Sequence, residues 1–234
     1  MPESGVYPNA PLVEAVFEIR FNGEPAVECH RDLFYEEVRE KFPKVLVAQV
    51  NPGQFPALTP YHFRTADEKT SLMIAIDRFA YSTRIYDGFA SFKEQAMHYM
   101  AIFGQRFRLR DLTRTGLRYV NIIPFNREGS LLPVERYFRF RVEMPPVRPS
   151  QVSNISFRYV TPTDKGSLTL RLECVTSTEQ QEAFLLDFDY AKVAGLTFNQ
   201  LEEYIDESHT ETKLFFGSMV TDEYRRFMNG EVVE

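Results

Sequence analysis

The stretch LVEAVFEIRF at residues 12–21 constrains the fold more than any other part of the chain. On an extended backbone, Val13, Ala15, Phe17, Ile19 and Phe21 share one side, while Glu14, Glu18 and Arg20 share the other with Leu12 and Val16. Period two sustained over ten residues is a strand with one buried face. The pattern returns near the C-terminus, where Leu168, Leu170, Leu172 and Cys174 face one way and Thr169, Arg171 and Glu173 the other. A chain that repeats this pattern needs a sheet and something to cover its apolar side.

Helical patterns supply the cover. Leu33, Phe34, Val38 and Phe42 recur at helical spacing between His30 and Pro43. A short strand is expected over Val45–Val50, and a Pro-containing loop over Asn51–Pro60. Strands follow at Tyr61–Thr65, Leu72–Asp77 and Phe79–Tyr86, then a helix from Ser91 to Phe107 with Glu94 placed to complete a capping box. Leu117–Ile123 reads as a strand. Further strands fall at Ile155–Val160, Leu168–Val175 and Phe184–Tyr190. Thr197 and Gln200 then open a helix running to about Phe227, with a break near Gly217.

Three strands and a capped helix thus occur twice, which predicts an α+β fold of two similar halves, each an antiparallel meander carrying a helix, packed as one unit. The expected divisions are 1–124, a Pro-rich connection at 125–151 with one strand in YFRFRVE, and 152–234.

Composition narrows the setting. The 234 residues are 44% hydrophobic and 26% charged, enough for a core without disulfides or metal. No apolar run reaches the ~18–20 residues of a membrane helix, so no membrane partner is expected. MPESGVYPNAP lacks the pattern of a secretion signal, and Cys29 and Cys174 read as reduced thiols, which together predict a cytoplasmic protein. The net charge of −6 conceals a segregation: residues 1–105 carry −4, residues 106–158 carry +7 and residues 159–234 carry −9. Such blocks either neutralise one another within the fold or present a basic surface. Strand edges that need covering predict a homodimer.

PLVEAVFEIRF at 11–21, GLRYVNII at 116–123 and a C-terminal helix with His209, Phe215 and the ending VTDEYRRFM resemble a sporadically distributed family of uncharacterised bacterial proteins of about this length. The resemblance spans nearly the whole chain. It implies a bacterial cytoplasmic protein built as one full-length unit, and it carries over no activity and no catalytic residues.

Catalytic signatures are missing. Gly-x-Ser-x-Gly, GxGxxG and GxxxxGK[ST] are absent, and His30, His62, His98 and His209 show no metal-ligand spacing, so no cofactor or metal is implied. Glu14 and Glu18 lie ~13 Å apart along a strand, too far for a glycosidase pair. Arg118 is expected to bridge to one of them across neighbouring strands, or to hold a ligand carboxylate or phosphate. Tyr119 and Asn121 share the opposite face, and Asn121 is an unusual residue in a β-branched strand. Glu14, Glu18, Arg118, Tyr119 and Asn121 are therefore the candidate lining of a ligand cavity between sheet and helices. Arg106, Arg108, Arg110 and Arg114, interleaved with Phe107 and Leu109, are the candidate nucleic-acid patch, with Arg106, Arg108 and Arg110 in line if the segment is a strand. The leading expectation is a non-catalytic binding or interaction protein, with a protein partner in a defence or regulatory system. The alternatives are a nucleic-acid binder, and a small-ligand protein or enzyme.

Overall fold

Among the described residues, the alternation at residues 12–21 becomes the central strand of a nine-stranded antiparallel sheet. The computed structural model describes residues 6–47, 53, 59–140, 153–176 and 181–232. In chain order the elements begin with β1 (Leu12–Arg20), α1 (Pro25–Cys29), α2 (Arg31–Val38), β2 (Lys44–Val47), β3 (Tyr61–Arg64), β4 (Thr70–Ala75) and β5 (Arg78–Thr83). Then come α3 (Phe89–Phe107), β6 (Asp111–Pro124), α4 (Val134–Tyr137), β7 (Ser156–Pro162) and β8 (Ser167–Thr176). The chain closes with β9 (Glu182–Thr197), α5 (Leu201–Met219) and α6 (Asp222–Met228). The strands lie in the order β2-β3-β4-β5-β1-β6-β9-β8-β7. This is an α+β fold.

The two faces of the sheet differ as the alternation requires. Phe17, Ile19, Phe79, Leu117, Leu170 and Phe188 point to one side and are buried. Helices cover them: Phe103 of α3 stacks on Phe79 with centroids 4.2 Å apart and meets Phe34 of α2 edge-on at 5.4 Å. Offset and edge-on rings are the favoured aromatic contacts. Opposite them, Glu18, Arg20, Arg78 and Arg114 are only part-buried.

The helices α3 and α5 run antiparallel over the sheet. Phe89 at the start of α3 stacks on His209, centroids 3.8 Å apart, and Lys93 Nζ lies 2.8 Å from Asp206 Oδ2. At the other end Gly104 faces the ring of Phe198, leaving no room for a Cβ. The Thr197–Gln200 capping box forms as the spacing predicts, over a single 3-10 turn at Phe198–Gln200 that leads into α5.

Several expectations are corrected. The Ser91 capping box does not form, because α3 starts two residues earlier. Gly88 takes φ 117°, a conformation glycine alone adopts freely, and Phe89 is drawn into the first turn by its stack on His209. The helix expected over His30–Phe42 is α2, which ends earlier, at Val38, and the short α1 precedes it without having been expected. YFRF is not a strand: Tyr137 ends α4, and Phe138 makes one isolated bridge to Val220. The C-terminal helix breaks at Val220, where Thr221 caps α6, rather than at Gly217. The end of the 45–50 strand after Val47, most of the 51–60 loop, the last residues of YFRFRVE and the second part of the Pro-rich connection, 141–151, lie outside the described residues.

Leu12 and Val13 also exchange places. A bulge in β1 between Leu12 and Glu14 sets two β1 residues against one of β6. A one-residue slip flips the side chains beyond it. Val13 is accordingly 41% exposed, while Leu12 turns to the helix side and packs on the core.

Candidate functional site

Beside the bulge, where β1 begins, a cavity of about 200 Å³ lies beneath α5. Its floor is Leu12, Tyr119, Asn121 and Phe188; Tyr86 and Phe89 form one wall. His209, Thr212, Lys213, Phe216 and Gly217 of α5 form the roof, and Val6, Tyr7, Ala10 and Pro11 of the lead-in close one side. The lead-in is tied down at several points. Pro11 O accepts from Ile122 N at 2.9 Å, and Asn9 N donates to Met228 O at 3.0 Å.

The cavity walls are chiefly aromatic, with a few polar groups converging among them. Tyr119 Oη and His209 Nδ1 lie 3.0 Å apart, and the Tyr86 ring meets Tyr119 nearly at right angles at 5.9 Å. Burial, reinforced by the nearby Lys213 charge, pushes the His209 imidazole down to about 4. Burial also holds the Tyr86 and Tyr119 phenols above their usual range. At neutral pH the network is therefore uncharged, and its hydrogen bonds are of the neutral kind.

Asn121 is only 5% exposed and donates Nδ2–H to Leu186 O at 3.0 Å. Thr212 Oγ1 donates to Ser208 O at 2.8 Å, so its hydroxyl is anchored to the helix. Lys213 is exposed, and among the described residues it is the one formally charged side chain in the lining.

The five residues predicted to share a cavity are divided by the sheet. Tyr119 and Asn121 line the cavity, as their common parity on β6 requires. Glu14, Glu18 and Arg118 lie on the opposite face, so the reading that joins them to the cavity is corrected. Arg118 also bridges to neither glutamate. Its Nε and Nη2 each lie 2.8 Å from the two oxygens of Asp187, a bidentate pair. Glu18 Oε1 instead accepts from Arg20 Nε at 2.7 Å and Arg114 Nη1 at 3.0 Å. Arg114 Nη2 reaches Asp189 at 2.7 Å. The partners Asp187 and Asp189 share parity in LLDFDY, and β9 is the second neighbour of β6.

The candidate nucleic-acid residues do not form one row. Arg106 belongs to the last turn of α3 and bonds Glu37. Arg108 is left-handed at φ 54° and terminates the helix, so the strand alignment of Arg106, Arg108 and Arg110 fails. Arg108 and Arg110 are exposed, whereas Arg114 is held on the sheet by Glu18 and Asp189. The charge blocks neutralise one another: Arg114, Arg118, Arg127, Arg136 and Arg139 pair with Asp189, Asp187, Glu182, Glu223 and Asp222.

His209, Tyr86, Phe89 and Lys213 were missed as site residues. His209 stood out only as a lone helical histidine, and nothing in its spacing shows that α5 lies over β6. Among the described residues, no group of three or more His, Cys, Asp or Glu is placed to hold a metal ion. No helix there is long and apolar enough to cross a membrane. No protein-family model matches the chain, and no curated protein matches it.

Proposed function

We propose that the chain is a non-catalytic binding protein whose site is the cavity between β6, β9, α3 and α5. One observation carries this reading: an aromatic-walled space with a few converging polar groups, placed where two helices cross a sheet, is the usual build of a small-molecule site. The hydroxyls and the imidazole there are neutral, and Tyr119 and His209 are hydrogen-bonded to each other, which suits recognition.

Thermal denaturation with neutral indole tests it. At ten times Kd a ligand bound only to the folded chain adds about 1.4 kcal/mol, roughly 3–6 °C at this size. Ala10→Phe places bulk at the exposed rim of the cavity and is expected to abolish the shift. No stabilisation by indole, or equal stabilisation of both proteins, refutes the reading.

The two-halves architecture belongs with this proposal. From the outside inwards the strands run β3-β4-β5-β1 and β7-β8-β9-β6, and a helix follows the third strand of each meander. The cavity then lies near the seam of the halves. Because Asn9 bonds Met228, a permutant joining residue 234 to residue 1 and opening the chain at Leu109 is expected to fold; failure to fold counts against interchangeable halves. A homodimer is proposed through β2, the outermost described strand on its side, where Val45, Leu46 and Val47 are exposed. Sedimentation equilibrium showing a monomer excludes it.

A further inference from the structure

We infer that the cavity takes a flat aromatic monocarboxylate bearing an N–H or O–H donor, its ring among the aromatic walls, its carboxylate at Lys213 and its donor on Asn121. This deepens the proposed function and rests on it.

The charge of the ligand follows from the lining. The chain is acidic overall, yet among the described residues no Asp or Glu lines the cavity. Lys213 does, and its ammonium has no acidic partner among the described residues, while Lys93 one helix away pairs with both Glu202 and Asp206. A single unneutralised cation at the rim of an aromatic space attracts one negative charge and repels a cation.

Flatness follows from the walls. Phe188 and Phe216 meet at 6.0 Å nearly at right angles, and His209 is already stacked on Phe89, so the exposed surfaces are ring faces and edges. About 200 Å³ suits one or two fused rings rather than a chain or a nucleotide.

The donor follows from Asn121. One of its two amide N–H groups is spent on Leu186 O, Oδ1 accepts no hydrogen bond among the described residues, and the residue lines the cavity. An amide oxygen of a cavity-lining residue that has no donor of its own calls for one from the occupant.

The test uses three probes: indole-3-acetate, the neutral indole-3-acetamide, and 1-methylindole-3-acetate. The chain has no tryptophan, so indole emission reports the probe alone. Indole-3-acetate is expected to bind about tenfold more tightly than the acetamide, the factor for one charge-assisted hydrogen bond. In Lys213→Met, an exposed substitution that leaves the core untouched, the two are expected to bind alike. N-methylation, which removes the donor without altering the protein, is expected to weaken binding about fivefold or more.

Equal binding of acetate and acetamide, or a preference that survives Lys213→Met, overturns the anionic class. Equal binding of the methylated probe overturns the role of Asn121. In those cases indole-type probes still bind and the cavity reading stands. Failure of every probe, neutral ones included, removes the cavity reading itself.

Discussion

Arg118 and Asp187 form a bidentate pair whose two members differ sharply in exposure, 44% for the arginine side chain and 9% for the aspartate. The asymmetry makes a sharp prediction. Asp187→Asn removes the charge from the buried side and leaves a guanidinium that turns to water, at a cost of about 1 kcal/mol. Arg118→Met keeps most of the apolar stem but strands a buried carboxylate. Stranding a fully buried charge costs about 3–5 kcal/mol; the residual exposure lowers the expectation to about 2–3 kcal/mol. For a chain of this length those values correspond to losses of roughly 2–4 °C and 5–10 °C. The double variant is expected to resemble Asp187→Asn, since no stranded charge remains. Urea unfolding followed by circular dichroism measures all four proteins. Equal losses in the single variants, or a double variant as weak as Arg118→Met, refute the view that Arg118 is retained to satisfy Asp187.

Other outcomes follow from the same geometry. Because the His209 imidazole is pushed down to about 4 from 6.5, the unfolded chain takes up a proton that the folded chain refuses. Stability is then lost as pH falls from about 6.5 to about 4, levelling off below, by up to about 3 kcal/mol; urea midpoints of His209→Gln are expected to fall less over that interval. Gly104→Ala gains about 1 kcal/mol of helix propensity but drives a Cβ into the Phe198 ring, an overpacking worth about 1–3 kcal/mol. It is expected to lower the melting temperature, and to stop doing so in a Phe198→Ala background. Thr197→Ala removes the half of the capping box made by the Thr197 side chain, leaves the backbone N–H of residue 197 to Gln200, and is expected to cost about 1 kcal/mol by chemical denaturation.

Much of the fold was legible because period-two alternation is a local signal. It places β1, β8 and β9 and the faces of Tyr119 and Asn121 on β6. Tertiary contacts account for the misreadings. The stack of Phe89 on His209 moves the start of α3 away from a sound capping box, and the β1 bulge reverses Leu12 and Val13 without a glycine to mark it. The site was half legible for the same reason. Parity separates Arg118 from Tyr119, but strand order decides that the partner of Arg118 comes from β9 and not β1. Helix placement decides that His209 and Lys213 roof the cavity, and no pattern in α5 records that.

The space under α5 is proposed as a ligand site. Backbone amide shifts of the isotope-labelled protein, followed during titration with indole, test it most directly. Saturable changes are expected, confined to the lead-in, the end of β6 around Tyr119–Asn121 and the α5 turns at His209–Gly217. Changes scattered over the charged face near Arg118, or none at millimolar probe, contradict it.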